Sequence, residues 1–132
     1  MDLDLTWEGE QRFRGSTGGV QLVLDGNSQA GASPVQALAL ALASCMAIDV
    51  VHILTKGRHQ PRAVRARLHV DRADAEPRRM VAARLHFFLA GDVPKDKVER
   101  AIALSREKYC SVWHSLRADI DFETSFEVAG PA

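Results

Sequence analysis

The chain is poor in cysteine, with only two among its 132 residues. Two cysteines are too few for a small secreted domain held together by disulfides. The opening residues, Met1-Asp2-Leu3-Asp4, also lack the positive region and the apolar run of a signal peptide, so we expect a cytoplasmic protein. In that reducing compartment, a pair of cysteines is more often reactive or metal-bound than structural.

An excess of charge of either sign is absent as well, because Lys and Arg together number 17 and Asp and Glu together number 17. This balance argues against a nucleic-acid partner, which needs a basic surface, and gives no reason to expect a membrane partner. The sequence also has no glycine-rich phosphate loop, no Gly-x-Ser-x-Gly motif and no paired carboxylates. These absences exclude the common nucleotide-binding and serine-hydrolase motifs.

One long apolar run is present, over residues 35–54, and it is long enough to be mistaken for a membrane span. It carries Gln36, Ser44, Asp49 and His52, however, and a charged residue near the centre of a span is costly. We therefore interpret it as a helix of a soluble protein that is apolar all round and buried in the core. Ser33 followed by Pro34 predicts its start, and Gly57 predicts its end near Lys56.

The rest of the chain alternates between strand and helix patterns and predicts a single domain over residues 1–132. Alternating apolar residues predict a half-buried strand near 3–7 and further strands near 20–24, 64–70 and 120–128. Neighbouring turn and loop residues predict strands near 11–16 and 80–89, with a second helix after Pro94 and a short helical turn at 111–116. Hairpins dominate and no strand–helix–strand repeat is present, so the fold class is α+β with mainly antiparallel sheets around the long central helix. A homodimer would supply the cover that a helix buried on all sides requires.

The two cysteines are the candidates for chemistry. Cys45 lies in the middle of the long helix, and Cys110 lies at the start of a short helical turn, where the helix dipole favours thiolate. Each can equally be a packed core thiol. They are 65 residues apart, so spacing alone does not establish a partnership. A cysteine that attacks peroxides needs a thiolate, a positive neighbour such as arginine, and a second thiol to trap the sulfenic acid.

Two segments carry a family resemblance. The run from Gly31 to Leu54, GASPVQALALALASCMAIDVVHIL, resembles the central helix of the OsmC/Ohr family, the osmotically inducible and organic-hydroperoxide-resistance proteins. The segment ALSREKYCSV, which contains Cys110, is similar to the second cysteine motif of that family, and Trp7, Arg12 and Phe13 fit its first strands.

The resemblance implies a thiol peroxidase that reduces organic hydroperoxides and forms an intertwined homodimer. It implies that Cys45 is the peroxidatic thiol, Cys110 the resolving thiol, and Arg12 the group that binds thiolate and peroxide, with Arg14 as the second choice. It implies no bound cofactor, the reductant being an external dithiol or a lipoylated protein. Gln36 and the apolar helix residues Leu42 and Met46 are expected to contact the substrate, and the apolar ones to favour alkyl hydroperoxides.

One departure from the family concerns Gln36. Family members often carry a glutamate after the proline that precedes the first cysteine, and it holds the arginine in place, whereas here Pro34 is followed by Val35 and Gln36. Gln36 can accept a hydrogen bond from arginine but cannot pair its charge, and Glu10 is a possible substitute. This departure motivates an alternative, a non-catalytic dimeric module that binds a small apolar ligand. A further alternative is a metal-dependent hydrolase, since Cys45, Asp49 and His52 share one helical face.

Overall fold

The computed structural model describes residues 1–130 and confirms the α+β class. The order of elements agrees with the one predicted from the sequence. In chain order they are β1 (Asp4–Trp7), β2 (Arg12–Thr17), β3 (Val20–Asp25), α1 (Pro34–Lys56), β4 (Ala63–Arg72), β5 (Met80–Ala90), α2 (Lys95–Leu104), a π-helical turn (Ser105–Tyr109), α3 (Ser111–His114) and β6 (Asp121–Ala129). The chain divides into two compact units, the first being Met1–Leu40 and the second beginning at Ala41, so α1 runs through the boundary. The single-domain assignment stays a prediction.

The first unit contains an antiparallel sheet in the order β1-β2-β3. The alternation in β1 predicted a half-buried strand, but Leu3, Leu5 and Trp7 are 64%, 65% and 63% exposed. The prediction of burial was wrong for the single chain, because alternation marks an apolar face without specifying what covers it. Val20 and Leu22 on β3 are similarly exposed, so this apolar face is open.

A reciprocal capping arrangement begins α1. The Ser33 hydroxyl accepts a hydrogen bond from the backbone N–H of Gln36 at 3.2 Å, and the Gln36 side-chain oxygen accepts one from the backbone N–H of Ser33 at 2.9 Å. These two bonds satisfy donors that the first helical turn leaves without partners. Pro34 occupies the first helical position, where its missing N–H costs nothing.

The helix α1 ends at Lys56 as predicted, but the residue that caps this end differs. The left-handed residue is Arg58, with φ of 65°, and not Gly57. The backbone N–H of Arg58 donates to the Thr55 carbonyl at 3.0 Å, and that of His59 donates to the Leu54 carbonyl at 2.8 Å. These two bonds satisfy the last carbonyls of the helix and form a Schellman motif. The motif lies one residue further along the chain than one with Gly57 as its left-handed residue would.

The second unit contains a sheet in the order β4-β5-β6. The β4 and β5 strands are antiparallel as predicted, whereas β6 runs parallel to β5. Parallel neighbours require a long crossover, and α2, the π-helical turn and α3 provide it. The core of this unit forms where the second half of α1 meets the sheet and α2; its members include Leu42, Met46, Val50, Leu54, Leu85, Phe87, Val98 and Phe122.

Only one face of α1 is enclosed in the single chain. Its fully buried residues repeat every fourth position from Leu42 to Leu54, whereas Leu40 and Ile48 are 64% and 67% exposed. The prediction that the helix is buried on all sides was therefore wrong for one copy of the chain. The physical reason is geometric: one sheet and one helix cover a single stripe of a helix surface.

Candidate functional site

The second unit brings the two cysteines together. Cys45 lies half-buried on α1, and Cys110 lies fully buried at the N-cap of α3, and both are free thiols. The two thiols lie close enough for each to influence the pKa of the other, and Ser111, the residue after Cys110, has its hydroxyl 3.8 Å from the Cys45 sulfur. The sequence placed each residue correctly on its element, but it contained no information on their contact.

The start of α3 surrounds the two sulfurs with hydrogen-bond donors. The backbone N–H of Val112 donates to Cys45, and the hydroxyl of Ser111 lies 3.8 Å from the Cys45 sulfur. The backbone N–H of Trp113 donates to the Cys110 sulfur at 3.4 Å. Backbone N–H groups in a first helical turn have no partner inside the helix. Those at the start of α3 are therefore available to stabilise negative charge on sulfur.

The two thiols differ in acidity. Partial burial acts to raise the pKa of Cys45, but the donors from Val112, Cys110 and Ser111 outweigh it, and the net pKa lies below the ordinary value for cysteine. Burial raises the pKa of Cys110 to about 11, and the nearby Cys45 sulfur adds to the rise. The expectation that the helix dipole favours thiolate at Cys110 was therefore wrong, because desolvation is the larger effect there.

The carboxylate of Asp49 acts on the pKa of both cysteines. It lies one helical turn beyond Cys45 on α1, and its negative charge acts to raise the pKa of both cysteines. Its carboxylate accepts a hydrogen bond of 2.7 Å from the hydroxyl of Ser105, the first residue of the π-helical turn. The sequence did not predict this hydrogen bond, because a single serine far from Asp49 in the chain provides no spacing signal.

A groove of about 520 Å³ adjoins this carboxylate. It combines apolar side chains with polar ones that titrate or donate hydrogen bonds, and it is lined by Asp49, His52, Ile53, Lys56, Gly57, Leu104 and Tyr109. His52 is exposed and does not pair with Asp49, whose partner is Ser105. Within residues 1–130, no three His, Cys, Asp or Glu side chains come together as a metal site, so the metal-hydrolase alternative gains no support from geometry.

The two candidate arginines lie on β2 in the first unit. Arg14 is half-buried and paired, its Nε lying 2.9 Å from a carboxylate oxygen of Glu8. Arg12 stands opposite Asp25 in the sheet register, and its positive charge contributes to holding the pKa of Asp25 low. A carboxylate on β3 therefore lies near Arg12, and the suggestion that Glu10 replaces the family's glutamate stays a prediction. The role of Arg12 or Arg14 toward a thiolate stays a prediction.

The residues predicted to contact the substrate take part in a helix cap or in the apolar core of this structure. The side-chain oxygen of Gln36 is engaged in capping α1 and also accepts from the hydroxyl of Ser28 at 2.9 Å. Leu42 and Met46 are 0% exposed and belong to the core, so neither presents a surface to an open pocket. Their helix face is the one that turns toward β5, and this explains the difference from the prediction.

Comparison with known proteins decides the family. The family model described as OsmC-like protein matches residues 25–125. The chain belongs to the OsmC-like protein family. The OsmC-like chain is 40% identical to protein YhfA of Escherichia coli (strain K12) over 131 residues, which cover 97% of this chain and 98% of YhfA.

Solved structures show the same fold. A hypothetical protein from Aquifex aeolicus VF5 superposes with a TM-score of 0.91 at 26% identity, covering 99% of this OsmC-like chain and 97% of its own. An organic hydroperoxide resistance protein OsmC from Legionella pneumophila superposes with a TM-score of 0.71 at 19% identity, covering 97% and 98%. These likenesses agree with the α+β architecture.

Proposed function

We propose that this OsmC-like protein is a cysteine-based peroxidase that reduces organic hydroperoxides to alcohols. The observation that carries the proposal is the pairing of Cys45, whose pKa is lowered, with the buried thiol of Cys110. Membership of the OsmC-like family and the described role of the Legionella protein in organic hydroperoxide resistance support the same substrate class.

The reaction proceeds in three balanced steps. The Cys45 thiolate attacks one peroxide oxygen, the O–O bond breaks, and the alkoxide takes a proton and leaves as an alcohol. The Cys45 sulfenic acid then condenses with the Cys110 thiol, which forms the disulfide and releases water. An external dithiol, free or on a lipoylated protein, exchanges with this disulfide and restores both thiols. No bound cofactor takes part in this scheme.

The thiolate is the species that reacts, so the surroundings of Cys45 determine the first step. Donors at the start of α3 stabilise the thiolate before substrate arrives. We further propose that Arg12, with Asp25 beside it, donates to the peroxide oxygens as charge moves to the leaving oxygen. Arg14 is less suited to this role because Glu8 already pairs with it.

The decisive experiment follows consumption of cumene hydroperoxide with dihydrolipoamide as reductant. Wild-type protein is expected to turn over, Cys45→Ser to lose turnover, and Cys110→Ser to complete only the first step. Ser44→Ala is a matched control, because Ser44 is the exposed neighbour of Cys45 and bonds only to the carbonyl of Ala41. Equal consumption by the wild type and Cys45→Ser would overturn the assignment.

We also propose that the protein acts as a homodimer in the cytoplasm. The support is the family together with the exposed apolar residues of α1 and of the first sheet, which are more extensive than a monomer ordinarily leaves in water. A second copy of the chain is the simplest cover for surfaces of this kind.

The alternative is a non-catalytic module that binds a small apolar ligand. The capping role of Gln36 favours it, since the family's usual side-chain support for the arginine is not supplied from this position. Titration of the thiols with cumene hydroperoxide separates the two functions. A peroxidase loses two thiols per chain as the disulfide forms, whereas a binding module retains both.

A further inference from the structure

Ser105 links the carboxylate of Asp49 to the backbone of Cys110. Its hydroxyl donates to Asp49 at 2.7 Å, and its carbonyl accepts from the backbone N–H of Cys110, also at 2.7 Å. Ser105 is 0% exposed, so no water competes for either bond. A hydrogen bond from a hydroxyl to a carboxylate is charge-assisted and stronger than one between neutral groups. The chain of contacts therefore runs from α1, one turn beyond Cys45, directly to the residue that carries the second thiol.

The position of Cys110 depends on the unusual turn that precedes it. The bond from the Cys110 N–H to the Ser105 carbonyl spans five residues, which is the π-helical pattern, and the turn Ser105–Tyr109 has this pattern throughout. Such turns are rare and occur often at functional sites. If the segment relaxed to ordinary α-helical bonding, its register would shift by one residue, which is a rotation of roughly 100° about the helix axis. That rotation would carry the Cys110 thiol away from Cys45.

We propose that Asp49 is a positioning residue that, by holding Ser105, fixes the π-helical turn and so keeps the Cys110 thiol against Cys45. The inference rests on the proposed pairing of the two thiols, and it adds the groups that set their separation. Asp49 does not touch the reacting oxygen atoms in this scheme. It acts on the second step, in which Cys110 condenses with the Cys45 sulfenic acid.

The charge of Asp49 and its position have opposite consequences. Its negative charge disfavours a thiolate on either cysteine, which works against the first step. Its hydrogen bond to Ser105 favours the approach of the two sulfurs, which assists the second step. Substitutions can separate these effects, because asparagine retains an oxygen that accepts from Ser105 while it removes the charge.

The test measures how stable the Cys45–Cys110 disulfide is relative to glutathione. Reduced protein is equilibrated with mixtures of reduced and oxidised glutathione, so that each protein disulfide formed converts one oxidised glutathione into two reduced molecules. The variants are Ser105→Ala, Asp49→Ala and Asp49→Asn, with Ser125→Ala as a matched serine control on the exposed face of β6. Far-ultraviolet circular dichroism and thermal unfolding establish that each variant is folded.

We expect the equilibrium constant of Ser105→Ala to fall about tenfold below that of the wild type, the order expected for one charge-assisted hydrogen bond. Asp49→Ala is expected to fall about tenfold below Asp49→Asn, because both lack the charge and only asparagine keeps an acceptor for Ser105. Alkylation of Cys45 should begin at lower pH in both Asp49 variants, because both lack the negative charge of Asp49 that raises the pKa of Cys45. Ser125→Ala should match the wild type in both measurements.

The proposal is overturned if Asp49→Ala equals Asp49→Asn while Ser105→Ala equals the wild type. If Ser105→Ala does not fold, the comparison of the two Asp49 variants decides alone, because Asp49 is only half-buried and does not belong to the apolar core. Glutathione replaces hydroperoxide in this assay. A wild type that forms the disulfide but consumes no hydroperoxide would therefore refute the peroxidase function and leave the positioning role measurable.

Discussion

The thiols of Cys45 and Cys110 lie close enough for each to influence the pKa of the other. Their different surroundings make two chemically identical side chains unequal. A thiolate on Cys45 is stabilised by its neighbours, whereas a thiolate on Cys110 would be buried beside another sulfur. The difference in acidity that the proposed roles of an attacking and a resolving cysteine require is therefore present in the free protein.

The first prediction concerns the pH at which each thiol reacts. Because the pKa of Cys45 is lowered and that of Cys110 is raised to about 11, alkylation by iodoacetamide should modify Cys45 first and follow two separate titrations. Cys110→Ala removes a donor to Cys45 and should raise its pKa, while Cys110→Ser keeps a donor and should raise it less. Mass spectrometry of peptides alkylated at a series of pH values provides the measurement. Equal reactivity of both thiols at neutral pH would contradict the asymmetry.

The second prediction concerns the cap of α1. Gln36→Ala removes the acceptor for the Ser33 backbone N–H and should lower the free energy of unfolding by about 1 kcal/mol, as measured by urea denaturation. Gln36→Glu retains the acceptor and should retain stability. Gln60→Ala, at an exposed position after the helix, is the control and should change stability little. A loss of peroxidase activity in Gln36→Ala with unchanged stability would favour a role at the active site instead.

The third prediction concerns acid stability in the first unit. Backbone N–H groups of Ala30, Asn27 and Gln29 donate to the buried carboxylate of Asp25 and hold its pKa below the ordinary value. The folded-state pKa is thus lower than the unfolded one, so the stabilisation is complete above the unfolded pKa, about 3.9. It is lost as pH falls through the folded-state pKa.

Asp25→Asn should therefore reduce stability at neutral pH and flatten its dependence on acid, as followed by thermal unfolding between neutral pH and pH below 3.9. Asp74→Asn, in the exposed loop between β4 and β5, is the matched control and should leave the dependence of thermal stability on pH unchanged. Parallel acid curves for the wild type and Asp25→Asn would show that the carboxylate contributes nothing to this dependence.

The fourth prediction concerns the oligomeric state. Ile48 is 67% exposed on α1 in the single chain, so Ile48→Asp should dissociate a dimer that covers this face, as measured by sedimentation velocity. Ala103→Asp places the same charge on an exposed position of α2 and should leave the assembly intact. A wild type that sediments as a monomer at all concentrations would refute the proposed homodimer.

Much of the fold could be predicted from local patterns. Apolar periods and turn residues predicted the strands and the α-helices in order but not the π-helical turn, and Ser33-Pro34 marked the first turn of α1. Patterns of this kind work because backbone geometry imposes a repeat of two residues on a strand and of 3.6 on a helix. Burial was predicted wrongly where it depends on which other segment covers an apolar face. In the single chain β1 is exposed, and α1 is enclosed on one side only.

The candidate site shows the same division between local and distant information. By itself the sequence determined that Cys45 lies within a helix and Cys110 at the start of another, because both placements follow from residues nearby in the chain. Only the tertiary structure decided that the two sulfurs meet, that burial outweighs the helix dipole at Cys110, and that Ser105 joins Asp49 to the turn before it. Contacts between segments far apart in sequence are set by packing, and desolvation depends on every surrounding atom, so neither is encoded in a local spacing of residues.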